Sequence, residues 1–219
     1  MYNTLLFDMD GTVLDTLGDL TEAINYTMRQ FDEPEHTLDE VRSYVGNGPI
    51  KLMERSLPNG LDTENFDEQL AVYKAYYAEH NRDYTKPYDG IVELMKDARS
   101  KGMKTGIVSN KHHSAVVELA DYFFGDLVDV AVGNKPGAKT KPSPDVVFTA
   151  MEELDAKPQD CVYIGDSDVD AATAEAAGLD CILVTWGFRS REFLEKQKAV
   201  AVIDTAEELR EYVLTNTES

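Results

Sequence analysis

The sequence predicts an α/β protein with a mostly parallel sheet as its core and an all-α segment inserted after the first strand. Three observations carry this. From Lys86 onward, short apolar runs alternate with amphipathic stretches of helical period. Residues 15–84 show helical spacing and no clear strand. The apolar run Leu5-Leu6-Phe7 precedes that helical stretch, so the strand it forms must find its partners beyond it.

Taken in order, the first strand is expected at Thr4–Asp8. Leu17, Leu20, Ile24 and Met28 then recur at helical spacing, followed by Ile50, Met53 and Leu57, and by Leu70, Tyr73 and Tyr77. Further strands are expected at Lys104–Ser109, Val128–Val132, Cys161–Asp166 and Cys181–Thr185, with a weaker one at Val200–Ile203. Helices are expected between them, near Ile91–Lys101, Ser114–Phe123, Asp145–Leu154 and Val169–Ala177. The expected organisation is a core of residues 1–14 and 85–219 and a helical cap of residues 15–84. In open parallel sheets, ligands bind beyond the carboxyl ends of the strands where the strand order reverses, so a segment leaving strand one would overhang that place as a lid.

Composition narrows the function. The 219 residues are 42% hydrophobic and 28% charged, a balance that excludes disorder. No apolar stretch approaches the roughly 20 residues a membrane span needs, and no signal peptide is seen. A net charge of −20 repels nucleic acid, and an anionic small substrate would need local cations. Cys161 and Cys181 lack metal-ligand spacing and read as reduced core thiols. The expected protein is cytoplasmic and a monomer or homodimer, with no membrane partner.

Four groups carry chemistry. Asp8-Met9-Asp10-Gly11-Thr12 places two carboxylates at a strand tip, one able to attack as a nucleophile and one to handle protons, provided a cation holds their charges together. Ser109-Asn110-Lys111 ends the run Thr105-Gly106-Ile107-Val108 and offers a hydroxyl and backbone N–H groups to a phosphate. Lys141 precedes Pro142 in a restrained loop and presents a fixed cation, with Lys139 as the decoy. Gly165-Asp166-Ser167-Asp168-Val169-Asp170 leads into an alanine-rich helix, and its crowded carboxylates call for a hard cation such as Mg²⁺. Asp166 is the expected direct ligand and Asp170 a supporting one, with Asp168 less certain. His36 and His80 are expected exposed, and His112 and His113 to begin a helix.

Together and in this order, the four groups resemble the haloacid dehalogenase-like phosphohydrolases along essentially the whole chain. The resemblance implies a Rossmann-like core with a C1-type helical cap. It implies that Asp8 forms an aspartyl-phosphate and that Asp10 protonates the leaving alkoxide, then activates water. Thr12, Ser109, Asn110 and Lys141 would hold the phosphoryl group, while Asp8, the Asp10 carbonyl, Asp166 and Asp170 would serve Mg²⁺. Val45-Gly46-Asn47-Gly48, Lys86-Pro87-Tyr88-Asp89-Gly90-Ile91 and Trp186-Gly187 look most like phosphoglycolate phosphatases, in which Gly46, Asn47 and Gly48 would form a cap loop against substrate. The implied substrate is a small phosphorylated metabolite, with 2-phosphoglycolate the first choice. A pyrophosphatase, a nucleotidase or a β-phosphoglucomutase-like enzyme would share the core. A phospho-accepting signalling module would share the acceptor aspartate, hydroxyl and lysine.

Overall fold

The computed structural model describes residues 2–215. Its elements run β1 (Thr4–Phe7), β2 (Leu14–Asp15), α1 (Leu17–Gln30), α2 (Leu38–Tyr44), α3 (Gly48–Ser56), α4 (Phe66–Glu79), β3 (Lys86–Pro87), α5 (Ile91–Ser100), β4 (Lys104–His112), α6 (His113–Phe124), β5 (Val130–Asn134), α7 (Asp145–Glu153), β6 (Cys161–Gly165), α8 (Asp168–Ala177), β7 (Asp180–Val184), α9 (Arg191–Leu194), β8 (Ala201–Ile203) and α10 (Ala206–Thr215). The chain divides into two compact units, one of residues 15–86 and the other of the rest. No helix among the described residues is long and apolar enough to cross a membrane.

The larger unit holds a six-stranded sheet in the order β5-β4-β1-β6-β7-β8, with every pair parallel. Parallel strands are covered on both faces, so they read as unbroken apolar runs whose neighbours point to opposite sides. Leu5 and Phe7 pack with α5, α6 and α10, whereas Leu6 packs with α7 and α8 on the other face. After β5 the chain crosses to the far side of β1 to lay down β6. The strand order therefore reverses at β1. Phe7 pairs with Ile107 of β4 and with Ile164 of β6. That register brings Asp8, Ser109 and Asp166 out at the same carboxyl edge of three adjacent strands.

The smaller unit is helical. Leu17, Leu20, Ile24 and Met28 are buried along α1, which packs on α2 and α4. Thr37 caps α2 in a reciprocal box with Glu40. Asp19 is buried and accepts the backbone N–H groups of Tyr84 (2.8 Å) and Thr85 (2.9 Å), tying α1 to the segment after α4.

Several expectations need correction. Ile50 is half exposed, because Leu52, Met53 and Ser56 define the buried face of α3 and Ile50 lies about 110° around the helix from its centre. The two-residue strands β2 and β3, which pair with each other, are too short to leave a periodic signal. His36 and His80 are half-buried. His36 Nε2 lies 2.8 Å from the Ser56 carbonyl, and His80 stacks on Tyr76.

Candidate active site

Asp8 follows β1 directly, and its N–H continues the ladder by donating to the Ile164 carbonyl at 2.8 Å. Its carboxylate is buried, and Oδ1 accepts from Lys141 Nζ at 2.7 Å. Burial drives the Asp8 pKa up to about 7 against the pull of Lys141, and the charges of Asp170 and Asp10 add to the rise.

Lys141 comes from the loop after β5, through a cis bond to Pro142. Its ammonium donates to Asp8, to Asp170 Oδ1 at 2.8 Å and to the Tyr163 hydroxyl at 3.0 Å. Burial opposes this charge, but Asp170 and Asp8 outweigh burial and hold the Lys141 pKa well above its usual value. Asn110 fixes the lysine from behind. Its Oδ1 accepts the Lys141 N–H at 2.7 Å, and its Nδ2 donates to the Lys141 carbonyl at 3.2 Å. The Asn110 side chain is therefore committed to positioning Lys141, so the expectation of Asn110 at the phosphate rests on its backbone N–H. Lys139 is exposed.

Ser167 caps α8, accepting the Asp170 N–H and donating to Asp170 Oδ2 at 2.5 Å. The same Oδ2 takes the Asp166 N–H at 3.3 Å, while Oδ1 takes Lys141 and the Tyr163 hydroxyl at 3.0 Å. Both Asp170 oxygens thus already have donors. Asp166 is buried, and its Oδ2 accepts the Phe188 N–H at 2.6 Å. Burial raises its pKa well above normal, and the charges of Asp170 and Asp8 raise it further. Asp168 points outward with a half-exposed side chain, 3.8 Å from Arg189. Gly11 and Gly187 crowd Asp166 so closely that a methyl at either would strike its carboxylate, and Gly11 has φ +85.

One carboxylate oxygen each from Asp8, Asp166 and Asp170 lies within 4.8 Å of the others, all three residues buried. Three buried carboxylates crowd one ammonium, and burial with mutual repulsion disfavours the charged forms of Asp8 and Asp166. Carboxylates so placed are costly to ionise, and a hard divalent cation would supply the positive charge that this all-oxygen donor set calls for. The residues present fit such an ion.

Ser109 is buried at the end of the same edge, and its Oγ accepts the Lys111 N–H at 3.2 Å. Thr12 is wholly buried. Among the described residues its Oγ1 has no hydrogen-bond partner, and its carbonyl accepts from Trp186 Nε1 at 3.0 Å. Asp10 meets a residue that sequence reasoning passed over: Lys111 Nζ lies 3.0 Å from its Oδ1. Tyr163 was also missed, since within Val162-Tyr163-Ile164 it reads as core. The β4 register is irregular between Val108 and His112, so simple strand alternation gave no reliable signal for Lys111.

In the helical unit, Gly46 (φ +124) and Gly48 (φ +81) flank Asn47 in left-handed turns. Arg55 of α3 clasps this loop, donating to the Tyr44 carbonyl at 2.5 Å and to Asn47 Oδ1 at 2.8 Å.

A doubly covered parallel sheet, with a buried aspartate–lysine pair and three clustered carboxylates at its reversal point, defines a hydrolase of the α/β class with a Rossmann-like core. The family described as haloacid dehalogenase-like hydrolase matches residues 5–184, and the chain belongs to it. It is 32% identical to a phosphoglycolate phosphatase of Aquifex aeolicus over 84% of this chain and 85% of that one. Against a phosphoglycolate phosphatase of Pseudomonas syringae pv. tomato the identity is 30%, over 91% of this chain and 75% of the relative. A crystal structure from Lactobacillus delbrueckii subsp. bulgaricus, provisionally assigned as a phosphoglycolate phosphatase, superposes with a TM-score of 0.92 at 37% identity, covering 97% of this chain and 98% of the other.

Proposed function

We propose that the protein is an Mg²⁺-dependent phosphatase that hydrolyses 2-phosphoglycolate to glycolate and phosphate through an aspartyl-phosphate on Asp8. The enzyme is a phosphoric monoester hydrolase. The observation that carries the reading is the buried Asp8 carboxylate held 2.7 Å from Lys141 beside Asp166. Phosphoryl transfer asks mainly for an aligned nucleophile and for charge neutralisation on the phosphoryl oxygens.

Lys141 holds Asp8 in place and carries a permanent positive charge to the phosphoryl group. Ser109 and Thr12 supply hydroxyls, and the Thr12 hydroxyl has no other partner to give up. Asp8 attacks phosphorus, and Asp10 gives its proton to the departing alkoxide, then takes one from the water that releases phosphate. Asp8, the Asp10 carbonyl and Asp166 would hold Mg²⁺, which would neutralise charge on the phosphoryl oxygens. Asp170 serves chiefly by anchoring Lys141. The choice of 2-phosphoglycolate rests on the relatives' activity and on the Gly46-Asn47-Gly48 loop, whose left-handed turns allow a ligand to approach the backbone closely. Two buried, unpaired cysteines support a reducing, cytoplasmic setting.

The test is phosphate release with Mg²⁺ from a panel of phosphorylated metabolites, with Asp8→Asn as control. The expected result is a clear kcat/KM preference for 2-phosphoglycolate, abolished in the variant. Preference for another ester would overturn the substrate and keep the chemistry. No turnover, together with stable phosphorylation by acetyl phosphate, would overturn the enzyme reading in favour of a signalling role.

A further inference from the structure

Lys111 takes no part in the scheme above, yet its side chain reaches the catalytic edge and is nearly as buried as that of Lys141. Its Nζ lies 3.0 Å from Asp10 Oδ1, with side-chain exposures of 8% and 15%. Its backbone is held by one hydrogen bond and closely approached at a second point. The N–H donates to Ser109 Oγ at 3.2 Å, and the carbonyl lies against Gly133 of β5, where an added Cβ would fall 2.6 Å from it. A long, flexible side chain rooted this firmly and removed from water holds its partner in one geometry. The two lysines contact different carboxylates. Lys141 contacts Asp8 and Asp170, while Lys111 contacts Asp10.

We propose that Lys111 is the positioning residue for Asp10: it grips one carboxylate oxygen and thereby aims the other at the ester oxygen of the substrate. The inference deepens the proposed function and rests on its reading of Asp10 as acid and base. In the first step a bond forms between Asp8 and phosphorus, the ester P–O bond breaks, and the proton on the second Asp10 oxygen passes to the alkoxide. In the second, water attacks phosphorus and gives its proton to that same oxygen. The bond to Asp8 then breaks, and the Asp8 carboxylate is restored. A carboxyl group protonated on one oxygen still accepts an ammonium hydrogen bond on the other, so the grip persists through both steps.

The experiment compares kcat/KM for an alkyl phosphate, 2-phosphoglycolate, with that for 4-nitrophenyl phosphate. The nitrophenolate departs without needing a proton, so kcat/KM for that ester is blind to the acid. Lys111→Met is expected to cost on the order of 100-fold on the alkyl ester and about threefold or less on the aryl ester. Lys111→Arg, which can renew the contact, should recover most of the loss. Equal losses on both esters would overturn the inference, because they would make Lys111 a phosphate-binding or purely structural cation. Lys111→Gln provides the same comparison if the Met variant does not fold. Asp10→Asn is run alongside. If it shows the leaving-group pattern and Lys111→Met does not, the positioning claim alone falls. If Asp10→Asn does not discriminate between the esters, the acid role of Asp10 falls and takes the inference with it.

Discussion

A single amide illustrates how this site is held together. Asn110 is buried, and its side chain satisfies both the N–H and the carbonyl of Lys141. Asn110→Ala therefore removes two partners at once. Each buried backbone group left unpaired costs about 1–3 kcal/mol, which sums to roughly 2–4 kcal/mol after partial rehydration. Releasing Lys141 would also displace the charge proposed to meet the phosphoryl group, and kcat/KM should fall on the order of 10–100-fold. Urea unfolding and steady-state kinetics on one variant read both losses. Wild-type stability in Asn110→Ala would show that the loop holds Lys141 without this clamp.

At the scale of elements, the β4–α6 junction makes stability depend on pH. His113 opens α6, and its Nδ1 accepts the Gly133 N–H at 3.2 Å. Burial lowers its pKa, as do the charges of Lys135 and His112, while Glu153 opposes them. The folded state therefore binds this proton less readily than the unfolded chain. Its contribution is complete above the ordinary histidine value near 6.5 and is lost as the pH falls from there through the lowered value of the folded state. On going from pH 7.5 to 5.5, the urea midpoint of His113→Gln should fall less, or rise more, than that of the wild type. Strand burial gives a second test, on Cys161 and Cys181. Both thiols are buried, and burial pushes Cys161 up to about 11. Neither should react with a disulfide reagent at pH 8 in the native protein, and both should after unfolding. A fast-reacting native thiol would mean that β6 or β7 opens locally.

The same scale shows what the sequence could tell. The strand runs and the helices between them were legible because a sheet covered on both faces must be apolar throughout, and a surface helix cannot be. Asp8, Asp10, Ser109, Lys141 and Asp166 were legible because each stands where an apolar run stops or a restrained loop begins. Asp170's true partners were not legible, since its bonds to Lys141 and Tyr163 join residues distant in sequence. The exposure of Ile50 was not legible, because spacing alone does not say where the centre of a short helix's buried face falls.

Across the whole molecule the net charge is −20, and the site adds three clustered carboxylates against Lys141. Metal-free protein must bear that repulsion within the core that also holds the fold together, so cation binding and folding are linked. At a free Mg²⁺ concentration of 100 times Kd the linkage contributes about 2.7 kcal/mol. For a chain of this size, that corresponds to a rise of roughly 5–10 °C in the melting midpoint. EDTA should abolish the rise along with turnover. Asp166→Asn retains an oxygen for the Phe188 N–H but removes one buried charge, so the two effects separate. Without metal the variant should melt higher than the wild type, and added Mg²⁺ should shift it little. A variant that melts lower without metal, yet gains as much from Mg²⁺ as the wild type, would move the cation away from Asp166 and assign that aspartate a purely structural hydrogen bond.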